Sequence, residues 1–261
     1  MNTGKLAVIA VTEKGAVQAA YIAEHSGADL YLSEKIPSES GTKFASLKDC
    51  FSELFQNYTG IIAVMAQGIV TRMCAPLLNS KYTDPAIVVC DEVGRYAISA
   101  VSGHEGGANK LAHYAASITG AVPVITTATE ANKRYTAGIG CRKDTTKDQI
   151  ISALTDACKK VGIDIKDIRL VASAWVKSEE QGMIDACEEL GIYLRFLPKH
   201  LYDHSHYEAE QSAAAKHIGI KAVAEPSAMI AGFNTRLILK KTVYENVTVA
   251  IAEEMTMFTG E

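Results

Sequence analysis

Short apolar runs rich in β-branched residues alternate with amphipathic helical patterns along most of the chain. In the first half, strands are predicted at residues 5–11, 29–32, 60–65, 86–90, 96–101 and 122–126. The helical patterns between them cover residues 14–25, 44–57, 67–78 and 106–118. Such alternation is typical of sheets whose strands are connected through covering helices. We therefore predict an α/β fold with open, mostly parallel or mixed sheets flanked by helices.

A polar stretch at 126–136 interrupts this pattern and indicates a joint between domains. Beyond it, strands are predicted at 135–139, 168–174, 193–196, 236–241 and 247–252, and helices at 146–161, 179–190, 210–218 and 226–231. We accordingly expect an amino-terminal α/β domain over residues 1–130 and a carboxyl-terminal α/β domain over residues 131–261, with one sheet each.

The composition narrows the class of protein. A net charge of −4 over 261 residues argues against a nucleic-acid-binding surface, which requires a basic face. No apolar run approaches the roughly 18 residues of a membrane span, and the apolar start of the chain is interpreted as a first strand and not a signal peptide. Six scattered cysteines without a CxxC pair indicate free thiols in a reducing compartment. We expect a cytoplasmic protein with neither nucleic acid nor membrane as a partner.

Four stretches are expected to follow a strand and precede a helix: Ala66–Gly68, Ser102–Asn109, Gly138–Thr146 and Ala224–Ala228. In open α/β sheets, ligands bind outside the carboxyl ends of the strands. Helix N-termini there present unpaired N–H groups, and glycine allows a ligand to approach the backbone closely. The pattern predicts a site for an anionic ligand, although it contains no Walker or dinucleotide motif.

The run SGHEGGANKLA, residues 102–112, places His104 and Glu105 directly before two glycines and a helical pattern. His104 can exchange protons near neutral pH, and Glu105 can orient it or act as a second base. In the alternative interpretation this segment caps the helix, with Ser102 as the N-cap and Glu105 completing a capping box. The sequence favours neither interpretation, and both can hold together.

Two further features have a simple structural interpretation. Asp91 and Glu92 are adjacent carboxylates between two strands, and they are most simply part of a solvated hairpin turn. Cys141 precedes a helix but has no histidine nearby in the sequence, which favours a packed thiol over a nucleophile.

A histidine-rich stretch lies near the end of the second half. His200 and His204 have a spacing that permits metal ligation on a helix, with Asp203 and His206 beside them. The serine and tyrosine residues between them are equally typical of an exposed loop, which is the interpretation we favour. No metal site is predicted.

Four segments together resemble the cobalt-precorrin-5A hydrolase family of anaerobic cobalamin biosynthesis. The longest covers residues 60–112, and the others are VPVITTATEAN, AGIGCRKDTT and VAEPSAMIAG. Members of this family typically carry a linking domain between the ITTATD-like and GIGCR-like segments. In this chain those segments are almost contiguous, so it resembles a compact form without the middle domain.

The resemblance implies a hydrolase that opens a δ-lactone on cobalt-precorrin-5A and releases acetaldehyde to give cobalt-precorrin-5B. The cobalt-bearing macrocycle of the substrate would accept the electrons, so no separate cofactor is implied. Neighbouring pathway enzymes are further candidate partners. The alternative is a non-catalytic tetrapyrrole carrier or assembly partner of the same pathway, and a nucleotide-binding regulator is a weaker one.

For this reaction we predict His104 and Glu105 as the catalytic pair, since lactone opening requires an activated water. Helix starts, glycines and arginines are expected to bind the carboxylates of the substrate, in a cleft between the two domains. The predicted substrate-binding residues are Gln67, Gly68, Arg72, Asp91, Ser102, Gly106, Gly107, Asn109, Gly138, Gly140, Cys141, Arg142, Glu225 and Ser227.

Overall fold

The computed structural model describes residues 4–204, 219–220 and 222–258. The chain divides into two compact units, Met1–Thr127 and Ala128–Glu261, called unit 1 and unit 2 below. Each unit contains its own sheet with helices packed on it. The predicted α/β fold with mixed, helix-covered sheets is therefore confirmed.

Unit 1 is built on a seven-stranded sheet in the order β3-β2-β1-β4-β5-β6-β7. Its elements in chain order are β1 (Leu6–Ala10), α1 (Glu13–Ser26), β2 (Asp29–Ser33), β3 (Thr42–Phe44), α2 (Leu47–Asn57), β4 (Gly60–Val64), α3 (Gln67–Cys74), β5 (Ala86–Cys90), β6 (Tyr96–Val101), α4 (Ala108–Thr119) and β7 (Val122–Val124). Neighbouring strands are parallel, except that β6 runs antiparallel to β5. Strands β6 and β7 therefore point opposite to the others, which decides where their loops emerge.

Both faces of this sheet are covered, which explains why β1, β4 and β5 are buried at every position. Helices α1 and α4 pack on one face, and α2 and α3 pack on the other. The predicted start of the second helix is wrong, since Phe44 belongs to β3. The helix begins at Leu47 because the Ser46 hydroxyl accepts a hydrogen bond from the Asp49 N–H and so caps it.

Unit 2 is built on a five-stranded sheet in the order β10-β9-β8-β12-β11. Its elements in chain order are α5 (Ala128–Ala131), β8 (Tyr135–Cys141), α6 (Lys147–Val161), β9 (Ile168–Ala174), α7 (Gln181–Leu190), β10 (Tyr193–Leu197), α8 (Lys199–Asp203), α9 (Ala224–Ala231), β11 (Thr235–Tyr244) and β12 (Val247–Glu254). Strands β8, β9 and β10 are parallel, and β12 runs antiparallel to both β8 and β11. The helix predicted at 210–218 lies outside the described residues.

Ion pairs close the edge of the unit 2 sheet at which β8 and β9 begin. Glu253, at the end of β12, is buried and accepts hydrogen bonds from Arg236, at 2.8 Å, and from Arg134. These hydrogen bonds, with the Arg236 bond the stronger influence, hold the pKa of the Glu253 carboxyl below its usual range. Arg169 on β9 makes a second, two-pronged pair with Glu254. The ends of three strands are thereby tied together.

The described residues also bear on membrane association and thiol chemistry. None of the helices within them is long and apolar enough to cross a membrane. The six cysteines are free thiols, of which five are buried and Cys141 is partly exposed. Burial raises the pKa of the Cys90 and Cys187 thiols to about 12. These two thiols therefore act as packing groups and not as nucleophiles.

Candidate functional site

The predicted catalytic pair lies on the loop that follows β6, residues 102–107. Antiparallel pairing puts Cys90, the last residue of β5, opposite Ala97, and puts Ile87, near the start of β5, opposite Val101. The loop therefore emerges at the amino edge of the unit 1 sheet, where β1, β4 and β5 begin. A strand length of roughly 13 Å separates it from the loops that follow β4 and β5. The expectation that these loops share a carboxyl edge is wrong for unit 1, because β6 runs against its neighbour.

The start of helix α4 differs from the prediction. The helix begins at Ala108, so Ser102 and Glu105 do not occupy the N-cap and third helical positions, and the predicted capping box is wrong. The N–H groups of Ala108 and Asn109 instead donate to the carbonyls of Ser102 and Gly103, at 3.0 and 2.9 Å. Carbonyl groups of the loop thus accept the hydrogen bonds from the first N–H groups of α4, in place of a capping side chain.

Two glycines and a serine give this loop its shape. A Cβ atom at Gly106 would lie 2.2 Å from the Cβ of Ser102 and 3.1 Å from the carbonyl oxygen of Lys81, so the role of Gly106 is structural. Gly107 has a φ of 89°, which disfavours any side chain, and it has open space around it. Ser102 also has a positive φ of 59° and is buried, and within the described residues its hydroxyl has no hydrogen-bond partner. The predicted ligand approach therefore fits Gly107 better than Gly106 or Ser102.

Asn109 lies behind the loop and is fully buried. Its Oδ1 accepts a hydrogen bond from the Ser99 hydroxyl at 2.8 Å, and its Nδ2 donates to the Thr127 hydroxyl at 2.9 Å. The amide of Asn109 is enclosed and engaged in these bonds, and its predicted substrate contact stays a prediction. Asn109 anchors the loop to β6 and to the end of unit 1.

His104 and Glu105 are both exposed on this loop. The Nζ atom of Lys81 donates a hydrogen bond to Oε1 of Glu105 at 2.7 Å. This bond lowers the pKa of Glu105, so that Glu105 is a carboxylate at neutral pH and not a proton donor. The sequence analysis missed Lys81, which precedes β5 in the chain. The predicted hairpin of β5 and β6 could have located it, since that pairing brings the segment before β5 beside the segment after β6.

Three predicted binding residues lie on α3, which follows β4 at the opposite, carboxyl edge of the unit 1 sheet: Gln67 and Gly68 at its start and Arg72 in its last turn. The Nη1 atom of Arg72 donates to the carbonyl of Gly68 at 3.1 Å. The Nε2 atom of Gln67 donates to the Thr71 hydroxyl at 3.3 Å. All three are exposed, but their distance from His104 across the sheet prevents them from forming one compact group with it.

Asp91 lies at the same carboxyl edge and builds the turn between β5 and β6. Its Oδ1 accepts hydrogen bonds from the N–H groups of Arg95 and Tyr96, at 2.8 Å each. Its neighbour Glu92 accepts a hydrogen bond from the Thr12 hydroxyl at 2.6 Å. The solvated-turn interpretation of this acidic pair is therefore supported.

Unit 2 contains a cavity with a volume of about 1120 Å³ at the edge where β8 ends. The predicted residues Gly140, Cys141 and Arg142 line it. Residues 143–147, 179–182 and 245–246 provide much of the remaining wall. Here the loops do share an edge, because β8 and β9 both end at it and β12 begins at it. A cavity of this size is suited to a small organic ligand.

Basic and acidic side chains line this cavity in equal number, but they differ in their partners. Lys147 and Lys177 form ion pairs with carboxylates. Within the described residues, Arg142, Lys143 and Lys241 have no carboxylate in ion-pair range. Such cations, on two different walls, suit a ligand that carries several carboxylates.

Glu225 acts on this cavity through Lys241. Its Oε1 accepts a hydrogen bond from the Lys241 N–H at 2.8 Å, which fixes the strand that carries the lysine. The sequence analysis predicted Glu225 but overlooked Lys241. Because β11 reaches the cavity through antiparallel pairing with β12, only the sheet order reveals this neighbour.

Gly140 and Cys141 form part of the cavity wall. The Thr248 hydroxyl donates to the Gly140 carbonyl at 3.0 Å, and a Cβ atom at Gly140 would lie 2.7 Å from that hydroxyl. Burial raises the pKa of the Cys141 thiol above its usual value. The thiol therefore stays protonated near neutral pH, which agrees with a packed thiol.

The predicted stretch Ala224–Ala228 lies within helix α9, and the preceding described element is helix α8, not a strand. A Cβ atom at Gly138 would lie 1.8 Å from the carbonyl oxygen of Ala224, so this glycine permits α9 to pack on β8. Ser227 is fully buried, and its hydroxyl pairs with that of Tyr202 at 2.6 Å. Helix packing encloses both residues, and their predicted ligand contacts stay predictions.

The histidine-rich stretch is described only in part. His200 lies in α8, His204 follows its last residue, and Lys199 pairs with Asp203 at 2.9 Å. Among the described residues there is no group of three or more His, Cys, Asp or Glu side chains that could hold a metal ion. His206 lies outside the described residues.

Comparison with known proteins adds to this geometry. A family model described as "Cobalamin synthesis G N-terminal" matches residues 49–130, and one described as "Cobalamin synthesis G C-terminus" matches residues 135–252. The chain belongs to the cobalamin synthesis G family. The first match of this family contains the loop at 102–107, and the second contains the residues that line the cavity.

Curated relatives of this family member bear related names. A "Cobalt-precorrin-5A hydrolase" of Salmonella typhimurium is 42% identical over 137 residues, which are 51% of this chain and 39% of that protein. One of Priestia megaterium is 38% identical over 139 residues, which are 50% of this chain and 37% of that protein. "Protein CobE" of a Sinorhizobium species is 30% identical over 137 residues, which are 49% of this chain and 86% of that protein. The chain thus covers about two fifths of the length of the first two relatives.

Proposed function

We propose that this member of the cobalamin synthesis G family is a cobalt-precorrin-5A hydrolase that opens a δ-lactone and releases acetaldehyde. The hydrolase names of two relatives, at 42% and 38% identity, support the reaction class. The observation that carries the proposal is the exposed His104–Glu105 pair on a glycine-shaped loop inside a segment that matches the family. Water can reach both side chains, as a hydrolytic reaction requires.

His104 has the acid–base role in this proposal. Its imidazole takes a proton from the water that attacks the lactone carbonyl, and it returns a proton to the ring oxygen when the C–O bond breaks. The products of this step are a carboxylate and a hydroxyl group. Loss of the hydroxyl proton then allows the adjacent C–C bond to break, so that acetaldehyde leaves and the electron pair passes into the conjugated macrocycle.

The cavity of unit 2 has cations that suit the carboxylates of such a substrate. Arg142, Lys143 and Lys241 provide the cations that acetate and propionate side chains would meet. Glu225 supports this binding because its side chain accepts a hydrogen bond from the backbone N–H of Lys241. Cobalt enters as part of the substrate, so the proposed steps use only groups of this chain and water.

The direct test is to incubate the purified protein anaerobically with cobalt-precorrin-5A and to trap acetaldehyde. We expect release by the wild-type protein, and at least about a 100-fold slower release by His104→Ala, which lacks the proposed base. Binding of the substrate by folded wild-type protein without any acetaldehyde would contradict the hydrolase and would support the carrier.

A further inference from the structure

The first N–H groups of helix α4 are already used in hydrogen bonds. The first N–H groups of α4, on Ala108 and Asn109, already donate to carbonyls of the same loop. The Leu111 N–H donates to the carbonyl of Gly107 at 2.9 Å. Ester and lactone hydrolysis builds negative charge on the carbonyl oxygen, and this charge needs a donor. A donor other than these three N–H groups is therefore needed.

Lys81 is the cation that the structure places beside the pair. Its Nζ atom lies 2.7 Å from Oε1 of Glu105, while more than half of its side chain remains exposed. An ammonium group has three N–H donors, so the bond to Glu105 does not use all of them, and Nζ also lies 5.1 Å from the centre of the Tyr82 ring. The hydrogen bond to Glu105 also raises the pKa of Lys81, which keeps it protonated.

The segment that carries Lys81 is held in place from two directions. Oδ2 of Asp84 accepts hydrogen bonds from the N–H groups of Asn79 and Ser80, at 2.9 and 3.1 Å. The carbonyl of Lys81 packs so close to Gly106 that a Cβ atom there would lie 3.1 Å from it. The backbone of Lys81 is thus fixed against the loop that carries His104. This fixed position, and not only the length of the side chain, brings the ammonium group to Glu105.

We propose that Lys81 is a third catalytic residue, whose ammonium group contacts the lactone carbonyl oxygen and stabilises the negative charge that develops there. This inference rests on the proposed function. Water adds to the carbonyl carbon, its proton goes to His104, and the electron pair of the C=O bond moves to the oxygen beside Lys81. When the ring C–O bond breaks, the new carboxylate remains next to this cation, and Glu105 holds the ammonium group in place throughout.

Single-turnover release of acetaldehyde by Lys81→Met and Lys81→Arg tests this role. Removing an enclosed oxyanion donor costs about 10²- to 10³-fold in rate, and for this exposed cation we expect Lys81→Met to lower kcat about 10- to 100-fold. Because the contact forms in the transition state, we expect KM to change less than about threefold. Lys81→Arg retains the charge and should recover most of the lost rate.

Lys48→Met, on an exposed position of α2, is the matched control and should leave kcat unchanged. Circular dichroism checks that each variant is folded, and Lys81→Gln provides the same comparison with a polar side chain. An active wild-type protein with normal kcat in Lys81→Met, or a raised KM alone, would overturn the role of Lys81 but leave the hydrolase intact. Absence of acetaldehyde from the wild-type protein would overturn both.

Discussion

Two loops, 102–107 in unit 1 and 142–146 in unit 2, both connect a strand to a helix, yet they have different neighbours. In unit 2, β8 lies parallel to β9, so its loop meets other loops and they enclose a cavity together. In unit 1, β6 runs antiparallel to β5, so its loop meets the segment before β5 and Lys81. A loop that follows a strand therefore does not necessarily lie at the same sheet edge as the other loops that follow strands. The direction of the neighbouring strand decides which side chains it can meet.

Glycine substitutions should separate the roles of the two regions most strongly. A Cβ atom at Gly138 would collide with the backbone of α9, so we expect Gly138→Ala to lower the free energy of unfolding by about 3 kcal/mol or more. At Gly107, where space is open but φ is 89°, we expect Gly107→Ala to cost only about 1 kcal/mol. Urea denaturation measures both values. Equal costs would show that α9 yields to a side chain at Gly138.

The amino edges of the two sheets should also differ in their response to acid. Among the described residues, the ion pairs at the edge of unit 2 surround the buried carboxylate of Glu253, whereas Asp29 and Glu105 at the edge of unit 1 are more exposed. We expect Glu253→Gln to lower the free energy of unfolding by about 2 kcal/mol at pH 7, since it loses charged hydrogen bonds from Arg236 and Arg134. The folded-state pKa of Glu253 is lowered, so its stabilising effect is present above the unfolded-state pKa and is lost as pH falls through the folded-state pKa.

Denaturant titrations of the wild-type protein and Glu253→Gln from pH 7 down to pH 3 check this dependence. The difference between the two proteins should be largest near neutral pH and should shrink below about pH 4. A difference that grows on acidification would contradict the assignment of Glu253 as an ionised partner.

The cavity cations should affect binding without affecting chemistry. We expect the double variant Arg142→Gln/Lys241→Gln to weaken binding of cobalt-precorrin-5A about tenfold, or about 1.4 kcal/mol, because two carboxylate partners are lost. Lys166→Gln, at the opposite end of β9, is the matched control and should bind normally. Fluorescence or absorbance titration under anaerobic conditions measures the Kd. An unchanged Kd in the double variant would show that other residues bind the carboxylates of the substrate.

The sequence predicted those features that depend on local patterns. Strands β5 and β6 have the bounds that their apolar runs indicate, and Asp91 forms the turn between them. The spacing of Phe44 fits a helical apolar stripe, which predicts a helix at this position. In the structure Phe44 is instead the last residue of the short strand β3.

The composition of the site depends on contacts between distant segments, and there the sequence was a weaker guide. Gly138 carries no local sign that α9 covers it, and Ser227, on α9, carries none that its hydroxyl is buried against Tyr202. Lys81 and Lys241 reach their sites only through antiparallel pairing with β6 and β12. His104 and Glu105 were predicted because their chemistry and spacing stand out in the sequence itself, and their catalytic role stays a prediction.

The central claim is that the chemistry takes place at the amino edge of the unit 1 sheet, where His104 lies, and not at the carboxyl edge, where Arg72 lies. The most direct measurement is the rate of acetaldehyde release in a single turnover by His104→Ala and Arg72→Gln, each compared with the wild-type protein. The account predicts at least about a 100-fold loss for His104→Ala and less than about a twofold change for Arg72→Gln. Normal release by His104→Ala with a large loss in Arg72→Gln would contradict it.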